Sequence, residues 1–240
     1  GSAEKINDSL WVRRMGRVSS TTLSSTSTGT GLSPSDPSPT RIQIQPNWII
    51  AYAQYPDSMP WRGGDEVKAS VADTVESACA KGVDYLVTTQ FASGTNTYGY
   101  SGYDIEVVGL RAILQSIHTN SRQNAKAGDL MLLLGTTQIG PALAIPEINN
   151  AYQRGDGSSP LVSGRMASGL GFKFGFSTNL YSDANGTHGA AFKKPAIQYG
   201  WNKEPNGETQ RFEKATKVFC DAEIGANIVF NEMLVDIRHQ

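Results

Sequence analysis

The side chains that most often carry out acid–base catalysis are few in this chain of 240 residues, which contains three histidines. A hydrolytic triad needs a histidine beside a nucleophile and an orienting acid. His118 ends a predicted helix, where its charge would be favourable, while we expect His188 to lie in a polar loop, DANGTHG, and His239 is the penultimate residue. None of them has a supporting motif, so we predict no catalytic residues. A hydrolase with a dispersed site around His118 or His188 is kept as an alternative.

The two cysteines form no recognisable motif. Cys79 and Cys220 lie far apart in the sequence and belong to no CxxC unit, so the spacing predicts neither a disulfide framework nor a zinc site. A reducing compartment fits this cysteine usage best. We expect no metal and no cofactor.

The glycine-rich stretch GLGFKFG, residues 169–175, resembles a nucleotide-binding loop only superficially. It does not match GxGxxG and does not join a predicted strand to a helix. Phe172, Phe174 and Phe176 alternate instead, as on one face of a strand. The sequence also lacks a P-loop, an HExxH motif and a GxSxG motif. We therefore predict that the protein is not an enzyme.

Four aromatic residues lie close together in the sequence, namely Trp48, Tyr52, Tyr55 and Trp61. Aromatic rings among polar residues can bind sugars or single-stranded nucleic acids by stacking, but they also bury strand faces and protein interfaces. We favour a core or interface role. A carbohydrate-binding or surface-binding module is the alternative from a different class.

Charge and hydropathy argue against two further classes. The formal net charge of −1 at pH 7 provides no overall basic field, so DNA reading is disfavoured as the main function. No apolar run approaches the roughly 18 residues that a membrane span needs. We therefore expect no membrane partner.

A long polar run near the amino end separates two segments with strand character. Between Ser19 and Thr40 the only large apolar residues are Leu23 and Leu32, so this run cannot bury enough surface to offset the entropy of ordering it. Its prolines cannot donate ladder hydrogen bonds. Apolar and polar residues then alternate as in a half-buried strand. The alternating residues are Arg41, Ile42, Gln43, Ile44 and Gln45. We predict a long hairpin with the polar run at its tip.

Two amphipathic helices are predicted after the hairpin. The first begins after Gly63-Gly64, with Asp65 as its N-cap, and continues to about Phe91. Its apolar stripe consists of Val67, Val71, Val75, Cys79 and Val83. The second helix covers about residues 103–118. Its predicted inner face consists of Ile105, Val108, Ala112, Ile113 and Ile117.

The remaining chain mixes short helices with strands. LMLLLG, residues 130–135, is a continuous apolar run typical of a buried strand. PALAIPEINN predicts short helices interrupted at Pro146. LVSGRM, LGFKFGFST and AAFKKPAIQYGW are strand-like, and the carboxyl end alternates enough for further strands. Together these elements predict an α+β fold.

The order of these elements resembles the major capsid proteins of tailed bacteriophages, which have the Hong Kong 97-like fold. The stretch from Leu130 to Leu180 is the most similar part, because it looks like that family's strand, helix, Gly-Arg turn, Gly-Phe strand and Ser-Asn ending. GAAFKKPAIQYGW is similar to the strand that follows in the family. These are packing motifs, so the resemblance implies an architecture and not a reaction.

The resemblance implies five segments. They are an N-terminal arm (1–15), an extended loop on a β-hairpin (16–55), a peripheral domain with the long spine helix (56–102), an axial domain (103–186) and a return to the peripheral domain (187–240). On the extended loop, the expected intersubunit contacts are Leu23, Leu32, Arg41, Ile42 and Ile44. On the arm, the residues expected to meet a neighbour or DNA are Trp11, Arg13, Arg14 and Arg17.

The function that the resemblance implies is structural. Copies of the chain would assemble as pentamers and hexamers into an icosahedral shell around double-stranded DNA, which they would contact non-specifically. The implied partners besides the chain itself are a portal, a scaffolding protein and a cement or decoration protein. The implied location is the virion, after assembly in the host cytoplasm. An encapsulin-like shell, which encloses cargo instead of DNA, is the alternative within this fold.

Some shells of this family are joined by a covalent Lys–Asn link that the extended loop makes. Such a link needs a lysine on the loop as the nucleophile. This chain has no lysine between Lys5 and Lys68. We therefore expect the loop to form no covalent link.

Overall fold

A computed structural model describes residues 4–6, 9–14, 40–56, 59–121, 130–149 and 168–239. The polar run and the strand-like LVSGRM segment lie outside the described residues. The helices are α1 (Met59–Thr89), α2 (Val107–Ser121), α3 (Ile139–Ala144) and α4 (Pro146–Asn149). Among the helices of these ranges, none is both long enough and apolar enough to cross a membrane.

The strands are arranged in three sheets. In chain order they are β1 (Glu4–Ile6), β2 (Ser9–Arg14), β3 (Thr40–Ile44), β4 (Asn47–Pro56), β5 (Thr97–Gly99), β6 (Leu130–Gly135), β7 (Ser168–Gly169), β8 (Phe172–Ser177), β9 (Ser182–Asp183), β10 (Gly186–Lys193), β11 (Ile197–Phe212), β12 (Ala215–Ile228) and β13 (Leu234–His239). With the helices, they give the α+β fold that the sequence predicted.

The first sheet, called the arm sheet below, contains β1, β2 and β3 in that order. β2 and β3 are antiparallel and pair from Leu10–Ile44 to Arg14–Thr40. The strand that precedes the polar run is therefore β2, which lies within the predicted arm. The predicted alternation in β3 is confirmed, because Ile44 is buried and Ile42 is half-buried while the polar residues between them are exposed.

The second sheet, called the spine sheet below, has the antiparallel order β11-β12-β4. β11 and β12 form a long hairpin of 16 and 14 residues. β4 lies in the segment assigned to the extended loop, and it pairs with β12 along its whole length. α1 covers one face of this sheet. The buried residues of that contact are Tyr55, Val75, Cys79, Val218, Cys220 and Ala222.

The third sheet, called the central sheet below, has the order β5-β13-β10-β6-β8-β7, with β9 paired to β10. β6 lies between β10 and β8, and its Leu130, Leu132 and Leu134 are buried. The predicted buried strand is therefore confirmed. The expected boundary after residue 186 separates an axial segment, which contains β6, from a segment that returns to the peripheral domain, which contains β13 and nearly all of β10. In the structure, β6, β10 and β13 belong to one sheet.

α1 begins earlier than the sequence predicted. It starts at Met59 and continues through Gly63-Gly64, so Asp65 is inside the helix and is not its N-cap. Pro60 lies in the first turn, where a missing N–H costs nothing and the fixed φ favours a helix. Two glycines cost about 1 kcal/mol each in a helix interior, and the packing of the later turns outweighs that cost. The predicted stripe is confirmed at Val75 and Cys79, which are buried.

The inner face of α2 differs from the prediction at Val108, which is 70% exposed. The helix begins at Val107 rather than near residue 103, and the predicted inward residues Ile113 and Ile117 are buried as expected. The buried residues of α2 are Gly109, Leu110, Ile113, Ile117 and Ser121. They recur at steps of one, three and four residues, as on one face of an α-helix. Ile105 is buried as predicted, but it precedes the helix.

Candidate functional site

The histidine that the sequence placed in a polar loop lies instead in a strand of the central sheet. His188 belongs to β10, and its side chain is 1% exposed. The turn of DANGTHG is confined to the residues between β9 and β10, so the strand begins at Gly186. The expectation of a loop histidine was therefore wrong, because a composition of small polar residues does not report burial by strands that lie far away in the sequence.

Two carboxylates face the His188 ring. Nδ1 lies 2.9 Å from Oδ1 of Asp236, which is itself fully buried on β13. Nε2 lies 3.0 Å from Oδ1 of Asp183 on β9, but without the alignment of a hydrogen bond. The second oxygen of Asp236 accepts a hydrogen bond from Arg238 Nε at 3.1 Å. One imidazole thus connects three strands.

This arrangement does not match a hydrolytic triad. In a triad one ring nitrogen faces an acid and the other faces a nucleophile, whereas both nitrogens of His188 face carboxylates. His239 is also buried, and its Nε2 accepts the Gly135 N–H at 3.1 Å. His118 lies in the last turn of α2 and is half-buried. His188 and His239 each interact with a residue of a neighbouring strand, so both stabilise the central sheet.

Contact with His188 lowers the pKa of Asp183, and the backbone N–H of Asn185, 2.7 Å from Oδ1, lowers it further. Both groups favour the ionised carboxylate. The pKa of Asp221 on β12 is also lowered, first by the hydrogen bond from Lys203 and then by other contacts that include Trp48. The stability of the fold should therefore depend on pH through both carboxylates.

The structure brings together the two cysteines that the sequence left apart. Cys79 on α1 and Cys220 on β12 belong to the same buried cluster, and burial, followed by the interaction with Cys220, raises the pKa of the Cys79 thiol to about 11. Both are free thiols. In the described ranges no group of three or more His, Cys, Asp or Glu residues is arranged to hold a metal ion.

The aromatic cluster predicted after the hairpin is divided between the two faces of the spine sheet. Tyr55 is buried against α1, and the described side chains do not include Trp61. The face opposite α1 carries an exposed row on β4, formed by Trp48 (67%), Ile50 (51%) and Tyr52 (74%). This row is called the outer row below. The four aromatic residues therefore do not form one sugar-binding site.

A buried polar group fixes one end of the outer row. Trp48 Nε1 donates a hydrogen bond to Oδ2 of Asp221 at 3.3 Å, and Lys203 binds the same oxygen. Asp221 is 5% exposed. Trp48 is therefore held in place, although most of its ring is open to solvent. An ordered, exposed apolar row is typical of a surface that binds another molecule.

The predicted contact residues of the loop and arm differ in where they lie. Ile44 is fully buried against Val12 and Val229, so its side chain belongs to the interior of the chain and not to an interface. Ile42 is half-buried and Arg41 is exposed. Trp11 is half-buried on β2. Leu23, Leu32 and Arg17 lie outside the described residues.

The pairing of β2 with β3 places two arginine positions directly opposite each other. Arg13 pairs with Arg41, and the next position carries Arg14 opposite Thr40. Like charges at directly opposite positions destabilise an antiparallel pair. A bound anion would remove this cost. The arm sheet therefore concentrates positive charge at the end nearest the polar run.

An apolar groove of about 660 Å³ lies where α1, the central sheet and the spine sheet meet. Its apolar walls include Phe91, Phe176, Phe192, Tyr199 and Trp201. Asp84, Thr88 and Lys194 also line it.

Comparison with solved structures finds the same fold in viral shells. The chain superposes on a subunit of the capsid of cyanophage P-SCSP1u with a TM-score of 0.72 and 13% identity, covering 100% of this chain and 85% of the other. For the head of Helicobacter pylori bacteriophage KHP40, the TM-score is 0.73 at 10% identity, with 96% and 84% covered. A virus-like particle from Pyrococcus furiosus gives a TM-score of 0.62 at 13% identity, with 97% and 86% covered.

No family model and no curated protein matches the chain. At identities of 10–13%, the structural likeness concerns the fold. The chain has the Hong Kong 97-like fold of tailed-phage capsid proteins, as the sequence resemblance predicted.

Proposed function

We propose that this chain is the major capsid protein of a tailed bacteriophage, which assembles with copies of itself into the icosahedral shell of the virion. The observation that carries the proposal is the likeness to capsid and head subunits over 96–100% of the chain. In its finer form, the proposal is that pentamers and hexamers enclose double-stranded DNA after assembly in the host cytoplasm.

The outer row supports self-assembly. Trp48, Ile50 and Tyr52 expose large apolar side chains on one sheet face, and β4 is an edge strand of the spine sheet. Removing apolar side chains from water is favourable by about 25 cal/mol for each Å² buried, and only the part that exceeds the entropic cost of association stabilises a complex. A neighbouring copy covers this row in the assembled shell.

The arginines of the arm sheet support a contact with anionic groups. Arg13 and Arg41 occupy directly opposite positions, and like charges at opposite positions favour the binding of an anion nearby. Acidic side chains of a neighbour or phosphates of packaged DNA are suitable anions. Arg14 and Arg17 extend this positive segment along the sequence.

The polar run completes the proposed interface. Leu23 and Leu32 lie on it, and Arg41 and Ile42 follow at its base. Hydroxyl and backbone groups of such a run can form hydrogen bonds with a neighbouring subunit. Scaffolding, portal and cement proteins are further proposed partners.

The experiment is electron microscopy of the purified protein and of the particle from its source. We expect closed icosahedral shells, and double-stranded DNA inside the source particles. A chain that stays monomeric under all conditions, with no shell in its source, would contradict the proposal. Protein cargo in place of DNA would favour the second candidate, a cargo-enclosing shell, for which the likeness to the virus-like particle is the specific observation.

A pair of variants tests the outer row within the same assay. Tyr52→Glu places a charge in the centre of the exposed apolar row and should reduce shell yield at least tenfold while leaving the monomer folded. Gln54→Glu is the matched control, because Gln54 is exposed on the same strand and the same face. Equal shell yields from the two variants would place the interface elsewhere.

A further inference from the structure

Cys79 and Cys220 face each other across the contact between α1 and β12. Their side chains are 1% and 3% exposed, and both belong to the core between α1 and the spine sheet. Both side chains pack in the same cluster of buried neighbours, which includes Val75 on α1 and Val218 on β12. Two thiols from distant parts of the sequence are therefore neighbours in the folded chain.

Contacts between α1 and the spine sheet lie on both sides of this pair. Gly207 on β11 pairs with Cys220 across the hairpin. A Cβ on Gly207 would lie 3.7 Å from Oε1 of Glu76, which precedes Cys79 on α1 by about one turn. About one turn after Cys79, a Cβ on Gly82 would lie 2.7 Å from Cγ2 of Ile49 on β4. The absence of a side chain at Gly82 thus lets α1 lie close to the sheet. A disulfide joins residues whose Cα atoms lie within about 7 Å of each other, and the shared buried cluster places Cys79 and Cys220 on the facing surfaces of α1 and β12.

We propose that Cys79 and Cys220 form an intramolecular disulfide that joins α1 to β12 once the particle has left the reducing cytoplasm. The oxidant is a small disulfide such as oxidised glutathione. One protein thiolate attacks a glutathione sulfur, which forms a mixed disulfide and releases one glutathione. The second thiolate attacks the protein sulfur of that mixed disulfide and releases the other. The two protons of the protein thiols end on the two glutathione molecules.

The surroundings of the pair determine when this reaction occurs. The cytosolic glutathione pool keeps most protein thiols reduced. Burial, followed by the interaction with Cys220, raises the pKa of Cys79 to about 11, so the reactive thiolate is rare at neutral pH. We therefore expect oxidation to be slow in the folded protein and to become faster as the pH rises. Only the timing, oxidation after release, rests on the proposed function.

The experiment unfolds the purified chain and refolds it in a buffer of reduced and oxidised glutathione, so that burial no longer limits access. The refolded protein is then denatured without reductant, treated with iodoacetamide and weighed by mass spectrometry. We expect most molecules to have lost the mass of two hydrogen atoms and to take up no alkyl group. After treatment with reductant, the same sample should take up two alkyl groups.

Two variants and an unfolding measurement test whether the mass loss comes from a disulfide between Cys79 and Cys220. Cys79→Ser and Cys220→Ser should show no loss of two hydrogens, and each should leave one thiol for alkylation or glutathionylation. Oxidised wild-type protein should unfold at a higher urea concentration than the reduced protein, whereas Cys79→Ser should unfold at the same concentration in both buffers. Two free thiols in the refolded wild-type chain, or a disulfide between chains, would overturn the proposal. Neither result depends on shell formation, which microscopy tests separately.

Discussion

His188 and Asp236 join two neighbouring strands of the central sheet from inside the protein. Nδ1 of the imidazole lies 2.9 Å from Oδ1 of the carboxylate, and the two side chains are 1% and 0% exposed. Arg238, which is paired with His188 across β10 and β13, holds the other oxygen of Asp236. A buried polar group that loses its partner pays the full cost of its lost hydration.

We expect Asp236→Ala to lower the free energy of unfolding by about 3 kcal/mol, because it leaves His188 and Arg238 without their shared carboxylate. Asp73→Ala is the control, since Asp73 is exposed on α1, and it should change stability by less than about 0.5 kcal/mol. Urea unfolding followed by circular dichroism measures both. A loss for Asp236→Ala no larger than that of the control would show that the pair does not stabilise the sheet.

Acid should weaken the fold through Asp183 and Asp221, whose pKa values are lowered in the folded chain by His188 and Lys203 respectively. A carboxylate with a lowered pKa contributes stability above its unfolded value of about 3.9, and this contribution disappears as the pH falls through the folded value. We expect the melting temperature of the wild type to fall more steeply between pH 5 and pH 2 than that of the double variant Asp183→Asn, Asp221→Asn.

The comparison of the two melting curves tests this assignment directly. The wild type should be more stable than the double variant at pH 7, and the two should converge at low pH. Asp73→Asn serves as the control and should follow the wild type throughout. A gap between wild type and double variant that stays constant from pH 7 to pH 2 would exclude these two carboxylates as the source.

The sequence predicted those features that depend on a repeated local pattern. The stripe of α1, the alternation in β3 and the apolar run of β6 each extend over several residues, so the period identifies the buried face. The start of α1 at Met59 was missed, because Gly63-Gly64 is a strong local signal for a break. Packing along a helix of 31 residues overrides two glycines.

The missed features depend on contacts between distant parts of the chain. The His188 site needs Asp236 from another strand, and the Cys79–Cys220 contact needs α1 to lie on β12. Gly109 is a further example, because a Cβ there would overlap the Tyr103 hydroxyl. From the sequence this glycine only weakens α2, whereas in the structure it makes room for an aromatic ring.

Removal of the polar run should affect assembly and not folding. Arg14 and Thr40 are opposite each other in the arm sheet, so the five residues 15–19 can close the hairpin after deletion of Ser20–Pro39. Only Leu23 and Leu32 would lose much burial, at roughly 2 kcal/mol each if they were fully buried. We expect an unchanged urea midpoint for the monomer and a loss of closed shells in electron micrographs. Unfolding of the shortened monomer would refute this role for the run.

The arginines of the arm should make assembly depend on salt. Replacement of Arg13, Arg14 and Arg17 by Gln removes charges that pair with anionic groups. Salt screens such pairs, because the Debye length is only about 8 Å at physiological ionic strength and shortens as salt is added. We expect a lower shell yield than that of the wild type at low salt, and a yield that falls less steeply as salt is added, because the salt-sensitive pairs are absent from the variant. Lys214→Gln, in the exposed turn of the β11–β12 hairpin, is the control. Equal yields for the triple variant, the control and the wild type at every ionic strength would show that the arm is only a solvated tail.

Cohesion of the shell should not depend on a covalent link made by the extended loop. The Lys–Asn link that the family resemblance raises needs an amine nucleophile on the loop, and the sequence has no lysine between Lys5 and Lys68. Arg17 and Arg41 cannot replace it, because a guanidinium stays protonated at any accessible pH and is a poor nucleophile. Buried area, hydrogen bonds from the loop or a cement protein must hold the subunits together. Boiling mature particles in denaturing detergent with reductant should release a single band near 25.8 kDa, since the proposed disulfide lies within one chain. A ladder of oligomers that survives the reductant would contradict this prediction and would require a different nucleophile.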